Sequence, residues 1–117
     1  MHEMSYVVRF VNQALTVANE RHASRVTGLV LDIGEMTGIE DDYLRRYYTT
    51  AAKGTLLENS TLEIHHVPIT AKCDTCGLTY HPSKEHDYLC PDCHSGICHI
   101  TGGRGAVLRQ VKLLTDD

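Results

Sequence analysis

The chain has 117 residues, a formal net charge of −4, 42% hydrophobic residues, five cysteines and eight histidines. This length suits one domain with at most a small appendage, and the hydrophobic share excludes an intrinsically disordered chain. The acidic balance argues against nucleic acid as the main partner, because phosphate contacts need clustered Lys and Arg. No apolar run approaches the roughly 18 residues of a membrane span. Residues 1–8 lack the basic and apolar regions of a signal peptide, so a soluble, cytoplasmic protein with no membrane partner is expected.

The N-terminal segment reads as an amphipathic helix. Met4, Val7, Val8, Val11, Leu15 and Ala18 follow the spacing of one helical face, with Arg9, Asn12, Gln13, Thr16, Asn19 and Glu20 opposite. Ser5 or Glu3 is the expected cap. Residues 25–33 read as a strand with Leu29, Leu31 and Ile33 on one face and Val26, Gly28 and Val30 on the other. Residues 41–53 read as a second helix, capped by Asp41 or Asp42. Leu44, Tyr47, Tyr48 and Ala51 face inward, and Gly54 ends it. Residues 61–67 alternate as a strand that Pro68 stops. Residues 106–114 form the last strand, with Val107, Val111 and Leu113 sharing a face.

This order predicts an α+β fold: a small three-stranded sheet with two helices on one face. All five cysteines lie between Cys73 and Cys98, so they mark one local device rather than a framework of disulfides. The cysteine segment is expected as a zinc-ribbon-like module inserted between the last two strands, which would pair as its stem.

Cys73-Asp74-Thr75-Cys76 and Cys90-Pro91-Asp92-Cys93 are two C-x-x-C turns. Each turn lets two thiolates reach one ion, and two turns complete a tetrahedron around zinc. A thioredoxin-like redox pair is the alternative, but no surrounding βαβ pattern supports it. Four thiolates leave no open position, so this zinc is expected to fold the module rather than catalyse. His81, His86 and His94 lie close enough in sequence to replace a ligand or modulate the site; solvated loop histidines are the plainer reading of each. Cys98 is left over.

The N-terminus offers a second donor set. Met1 supplies an α-amino group, His2 a backbone nitrogen and an imidazole, and Glu3 an amide nitrogen. Nitrogen and oxygen donors in a square-planar or tetragonal set suit Ni(II) or Cu(II).

Met1-His2-Glu3-Met4-Ser5 resembles the M-H-E-x-S start of the nickel metallochaperones that mature [NiFe] hydrogenases, the HypA/HybF family. The resemblance continues through Arg25-Val26-Thr27, Ile33-Gly34-Glu35, Lys53-Gly54-Thr55 and the two cysteine pairs, in order and over nearly the full length. It implies a nickel-binding α/β domain (1–69 and 104–117) and a zinc-binding module (70–103). It also implies nickel as cargo at His2 with Glu3 participating. An acidic residue after the I-G-E segment completes the nickel set, here Glu40, with the adjacent Asp41 as alternative. Structural zinc carries over to Cys73, Cys76, Cys90 and Cys93. The implied partners are a GTPase maturation factor, the hydrogenase large subunit and, for some relatives, the urease maturation system.

Two other functions compete with this one. A zinc-ribbon nucleic-acid or transcription-factor module would need a basic surface, yet residues 71–103 set Lys72 and Lys84 against Asp74, Glu85, Asp87 and Asp92. A hydrolytic metalloenzyme would need a pocket, an activated water and an acid/base group. Only His2, Glu3 and the Glu40–Asp42 cluster approach that, so no enzyme is expected.

Overall fold

The structure, a computed structural model, describes residues 3–115, with side chains from Met4 onward. His2 lies outside the described residues. The elements run α1 (Glu3–Glu20), β1 (Arg25–Gly34), α2 (Asp41–Ala52), β2 (Thr61–Val67), β3 (Thr70–Cys73), β4 (Thr79–Tyr80), β5 (Cys98–Gly102) and β6 (Ala106–Leu114). Short 3-10 turns occupy Glu35–Thr37 and Lys84–His86. The chain divides into two compact units. Among the described residues, one comprises 3–33, 39–65 and 106–115; the other comprises 34–38 and 66–105.

The first unit is the expected α+β layer. Its sheet runs β2-β1-β6, and both helices bury residues into one apolar cluster with Val26, Leu29, Leu31 and Ile33 of β1. The helical faces differ from the sequence reading. On α1 the buried stripe is Val7, Phe10, Val11, Ala14 and Ala18, while Met4 and Val8 are exposed. The stripe is therefore rotated toward Phe10, the bulkiest apolar side chain of the helix, which outweighs two residues near its start. The helix already includes Glu3 and Ser5, so neither is its cap. On α2 the cap position is Glu40, with no side-chain capping bond; Asp41 and Asp42 sit in the first turn, where their charge favours the helix dipole. Leu44, Tyr48 and Ala52 are its buried residues.

Two bulges reset the strand phase. β1 pairs antiparallel with β6, with register shifts between Val26 and Gly28 and between Val30 and Leu31. An extra residue moves all following side chains to the other face. Val26 thus joins the face of Leu29 and Leu31 rather than that of Gly28 and Val30. On β6, Ala106 and Leu108 precede the shift and Val111 and Leu113 follow it, all against the core, while Val107 is 57% exposed. Strict alternation puts Val107 on the face of Val111 and Leu113, and the shift separates them. The predicted stem pairing also fails: β1 is the central strand and separates β2 from β6.

The second unit carries its own three-stranded sheet, β4-β3-β5. Its crossing point is tight. A Cβ on Gly34 would lie 2.5 Å from the Gly103 carbonyl oxygen, and Gly103 has φ +83° with Ile69 Cα 2.7 Å from its own would-be Cβ. Only glycine allows both approaches.

Candidate metal centre

The two C-x-x-C segments fold as matching knuckles. In the first, the Gly77 amide donates to the Cys73 carbonyl at 2.9 Å and the Cys73 amide to the Leu78 carbonyl at 2.9 Å. In the second, the His94 amide donates to the Cys90 carbonyl at 2.9 Å and the Cys90 amide to the Ser95 carbonyl at 3.0 Å. The residue after each second cysteine is left-handed: Gly77 at φ +81° and His94 at φ +62°. His94 is thus the structural counterpart of Gly77.

The knuckles bring the Sγ atoms of Cys73, Cys76, Cys90 and Cys93 within 4.8 Å of one another. Cys73 and Cys93 sulfurs are 3.5 Å apart, and Cys76 and Cys90 sulfurs 3.6 Å. A zinc tetrathiolate with Zn–S near 2.3 Å has S···S edges of about 3.8 Å. A disulfide would bring sulfurs to about 2.05 Å. The spacing therefore fits four thiolates sharing one ion. Among the described residues this is the one group of three or more candidate ligands, and no histidine belongs to it.

Local electrostatics prepare the inner pair. The Cys76 amide, then that of Thr75, holds the Cys73 thiol down at about 6 against the opposing effect of burial. Amides of Cys93 and Asp92 lower Cys90 in the same way. The Leu78 amide draws Cys76 down, but burial and the thiols of Cys90, Cys93 and Cys73 outweigh it and push Cys76 up to about 12. Four clustered thiols cannot all ionise by themselves; a divalent cation removes the conflict.

Cys73 and Cys90 are buried with Ala71 and Tyr80, and Cys98 and Ile100 pack against them. Sequence reading missed Tyr80. Its strand is two residues long, too short to register as a period, and only the pairing Ala71↔Tyr80 places it. Cys98 faces Cys73 across the β3–β5 pair. Of the other histidines near the module, His81 Nδ1 lies 2.7 Å from the Ile69 carbonyl oxygen and His99 Nδ1 lies 2.8 Å from Asp74 Oδ1.

The N-terminal candidates are placed less fully. Glu3 opens α1. Glu40 is exposed, and its carbonyl accepts the Leu44 amide at 3.1 Å. Asp41 follows in the first turn of α2. No helix among the described residues is long and apolar enough to cross a membrane.

Fold and cysteine cluster together define an α+β metal-binding protein with a closed four-sulfur centre in its smaller unit. The family model described as "Hydrogenase/urease nickel incorporation, metallochaperone, hypA" matches residues 1–113. A protein named hydrogenase maturation factor HypA from Nitrosospira multiformis is 34% identical over 115 residues, covering 98% of this chain and 99% of the relative. The solution structure of the Ni metallochaperone HypA from Helicobacter pylori shares the fold with a TM-score of 0.71 at 23% identity, covering 99% of this chain and 100% of that one. A further solution structure of a HypA protein gives a TM-score of 0.77 at 22% identity, over 99% of this chain and 98% of its own. The chain belongs to the HypA family of hydrogenase and urease nickel-incorporation metallochaperones.

Proposed function

We propose that this protein carries Ni(II) at its N-terminus for insertion into a [NiFe] hydrogenase and holds a structural zinc at its four cysteines. The match to the nickel-incorporation family along residues 1–113 carries this reading. Nickel is held by His2 and Glu3, with Glu40 as the acidic contributor; zinc is held by Cys73, Cys76, Cys90 and Cys93. Nickel handling belongs to residues 1–69 and 104–117, and zinc to 70–103.

The chemistry of the two donor sets supports distinct jobs. A terminal amine, an imidazole and a carboxylate exchange readily and accept nickel in a nitrogen–oxygen field. Four thiolates enclose their ion and couple its binding to folding. The protein acts as a carrier without catalytic turnover. Its partners are a GTPase maturation factor and the hydrogenase large subunit, with urease maturation proteins as a further client, and it works in the cytoplasm.

The test is an equilibrium nickel titration of zinc-loaded protein with a free Met1 amine, beside a chain carrying one extra residue before Met1. The extension converts the amine to an amide and should weaken nickel binding while leaving zinc content unchanged. Equal nickel affinities would remove the α-amino group from the site.

A further inference from the structure

A groove of about 840 Å³ runs between α1 and β6. One wall is a single stripe of α1, made of Arg9, Gln13, Thr16, Val17 and Arg21 on successive turns of one helical face. At 1.5 Å per residue the stripe is about 18 Å long, the length of a five- or six-residue strand. The other wall is β6. Its Leu108, Val111 and Leu113 are half-buried against the core and give the groove an apolar floor.

β6 is an edge strand with β1 as its strand partner. An edge leaves alternate amides and carbonyls open to another strand. At the start of β6 the α1 wall supplies a donor, because the Arg9 guanidinium bonds the Ala106 carbonyl. Arg109 is the extra residue of a register shift, between Leu108 paired with Leu31 and Gln110 paired with Val30. From Gln110 to Leu114 every β6 residue has a partner on β1, so this stretch is an unbroken edge. Charge selects the occupant. Arg9, Arg21 and Arg109 line the groove and no Asp or Glu does, although the whole chain carries −4. A second copy pairing β6 with β6 about a two-fold axis would bring the Arg109 end of one groove to the Arg21 end of the other. Like charges meeting there oppose that dimer.

We propose that this groove docks an extended acidic segment of a partner protein, which adds to the sheet as a fourth strand beside Gln110–Leu114. Its backbone pairs with the β6 edge. Its alternate apolar side chains enter the groove over Val111 and Leu113, and its carboxylates meet Arg21 and Arg109. Strand addition of this kind draws affinity from main-chain bonds and specificity from alternate side chains. The inference does not depend on either metal assignment.

The test titrates the full chain with a labelled peptide of about eight residues, a strand's length, alternating glutamate and valine. Fluorescence anisotropy reads affinity and backbone amide NMR shifts read location. Wild type should bind the peptide with its largest shifts in β6 and the facing stripe of α1. The double variant Arg21→Glu, Arg109→Glu should bind roughly tenfold more weakly, the scale of two surface ion pairs lost and reversed. Both arginines are exposed, so the variant should keep the wild-type unfolding midpoint. The same peptide with lysine for glutamate should not bind. Methylating alternate peptide nitrogens in one of the two possible phases should abolish binding, which separates strand pairing from charge attraction alone. No binding by the glutamate peptide, equal affinity in the double variant, binding that survives both methylation phases, or shifts outside α1 and β6 would each overturn the proposal. So would a wild-type dimer that excludes the peptide, since a second copy would then be the occupant.

Discussion

His94 and Gly77 occupy the same place in two matching turns, yet only glycine is free of penalty there. A side chain in the left-handed region costs about 1 kcal/mol or more. His94→Gly should therefore stabilise the zinc-loaded protein by up to about 1 kcal/mol, and Gly77→Ala should cost a similar amount. Chelator competition and denaturant unfolding measure both. The pair also decides whether His94 is a ligand, because a ligand's loss would lower zinc affinity instead of leaving it equal or higher. The four cysteines were legible in the sequence because a doubled C-x-x-C pattern is local. Tyr80 was not, since its position depends on a strand pairing that brings distant segments together. The proposed nickel residues rest on the chemistry of a terminal donor set together with resemblance, as no periodicity distinguishes a terminal His-Glu pair from a solvated one.

At the scale of elements, the sequence period located the helices and strands but misassigned some of their faces. Phe10 and Ala14 are buried where Met4 and Val8 are exposed. Phe10→Ala should cost about 3–5 kcal/mol, because it opens a cavity in the shared core. Val8→Ser should change stability by under about 0.5 kcal/mol, as expected for an exposed site. Urea denaturation of both variants checks this, and equal losses would contradict the rotated face. The strand phases show why the error arose. Period-two reading assumes an unbroken ladder, and each register shift in the β1–β6 pair turns the following residues over. Val26 and Val107 were misplaced for that reason alone. Central placement of β1 was equally hidden, since chain order says nothing about which strand lies between two others.

At the scale of the molecule, the two units draw stability from different sources. The first buries an apolar cluster built from both helices and the β2-β1-β6 sheet. The second buries Ala71, Cys73, Tyr80 and Cys90, and two of these belong to the four-sulfur cluster. So small a core needs a metal staple. Removing zinc with a strong chelator should strip hydrogen-exchange protection from β3 and β5 while α1 and the β1–β6 pair keep theirs. Loss of protection in both units together would contradict this division. The division also suits a carrier, since the ion that holds structure and the ion that is delivered make opposite demands on exchange. The central claim is that nickel binds at the N-terminus, apart from the cysteine centre. The most direct measurement is nickel and zinc content per chain in wild type and His2→Ala after nickel loading and removal of free metal. The account predicts zinc in both proteins and nickel only in wild type. Full nickel retention by His2→Ala, or loss of zinc along with nickel, would contradict it.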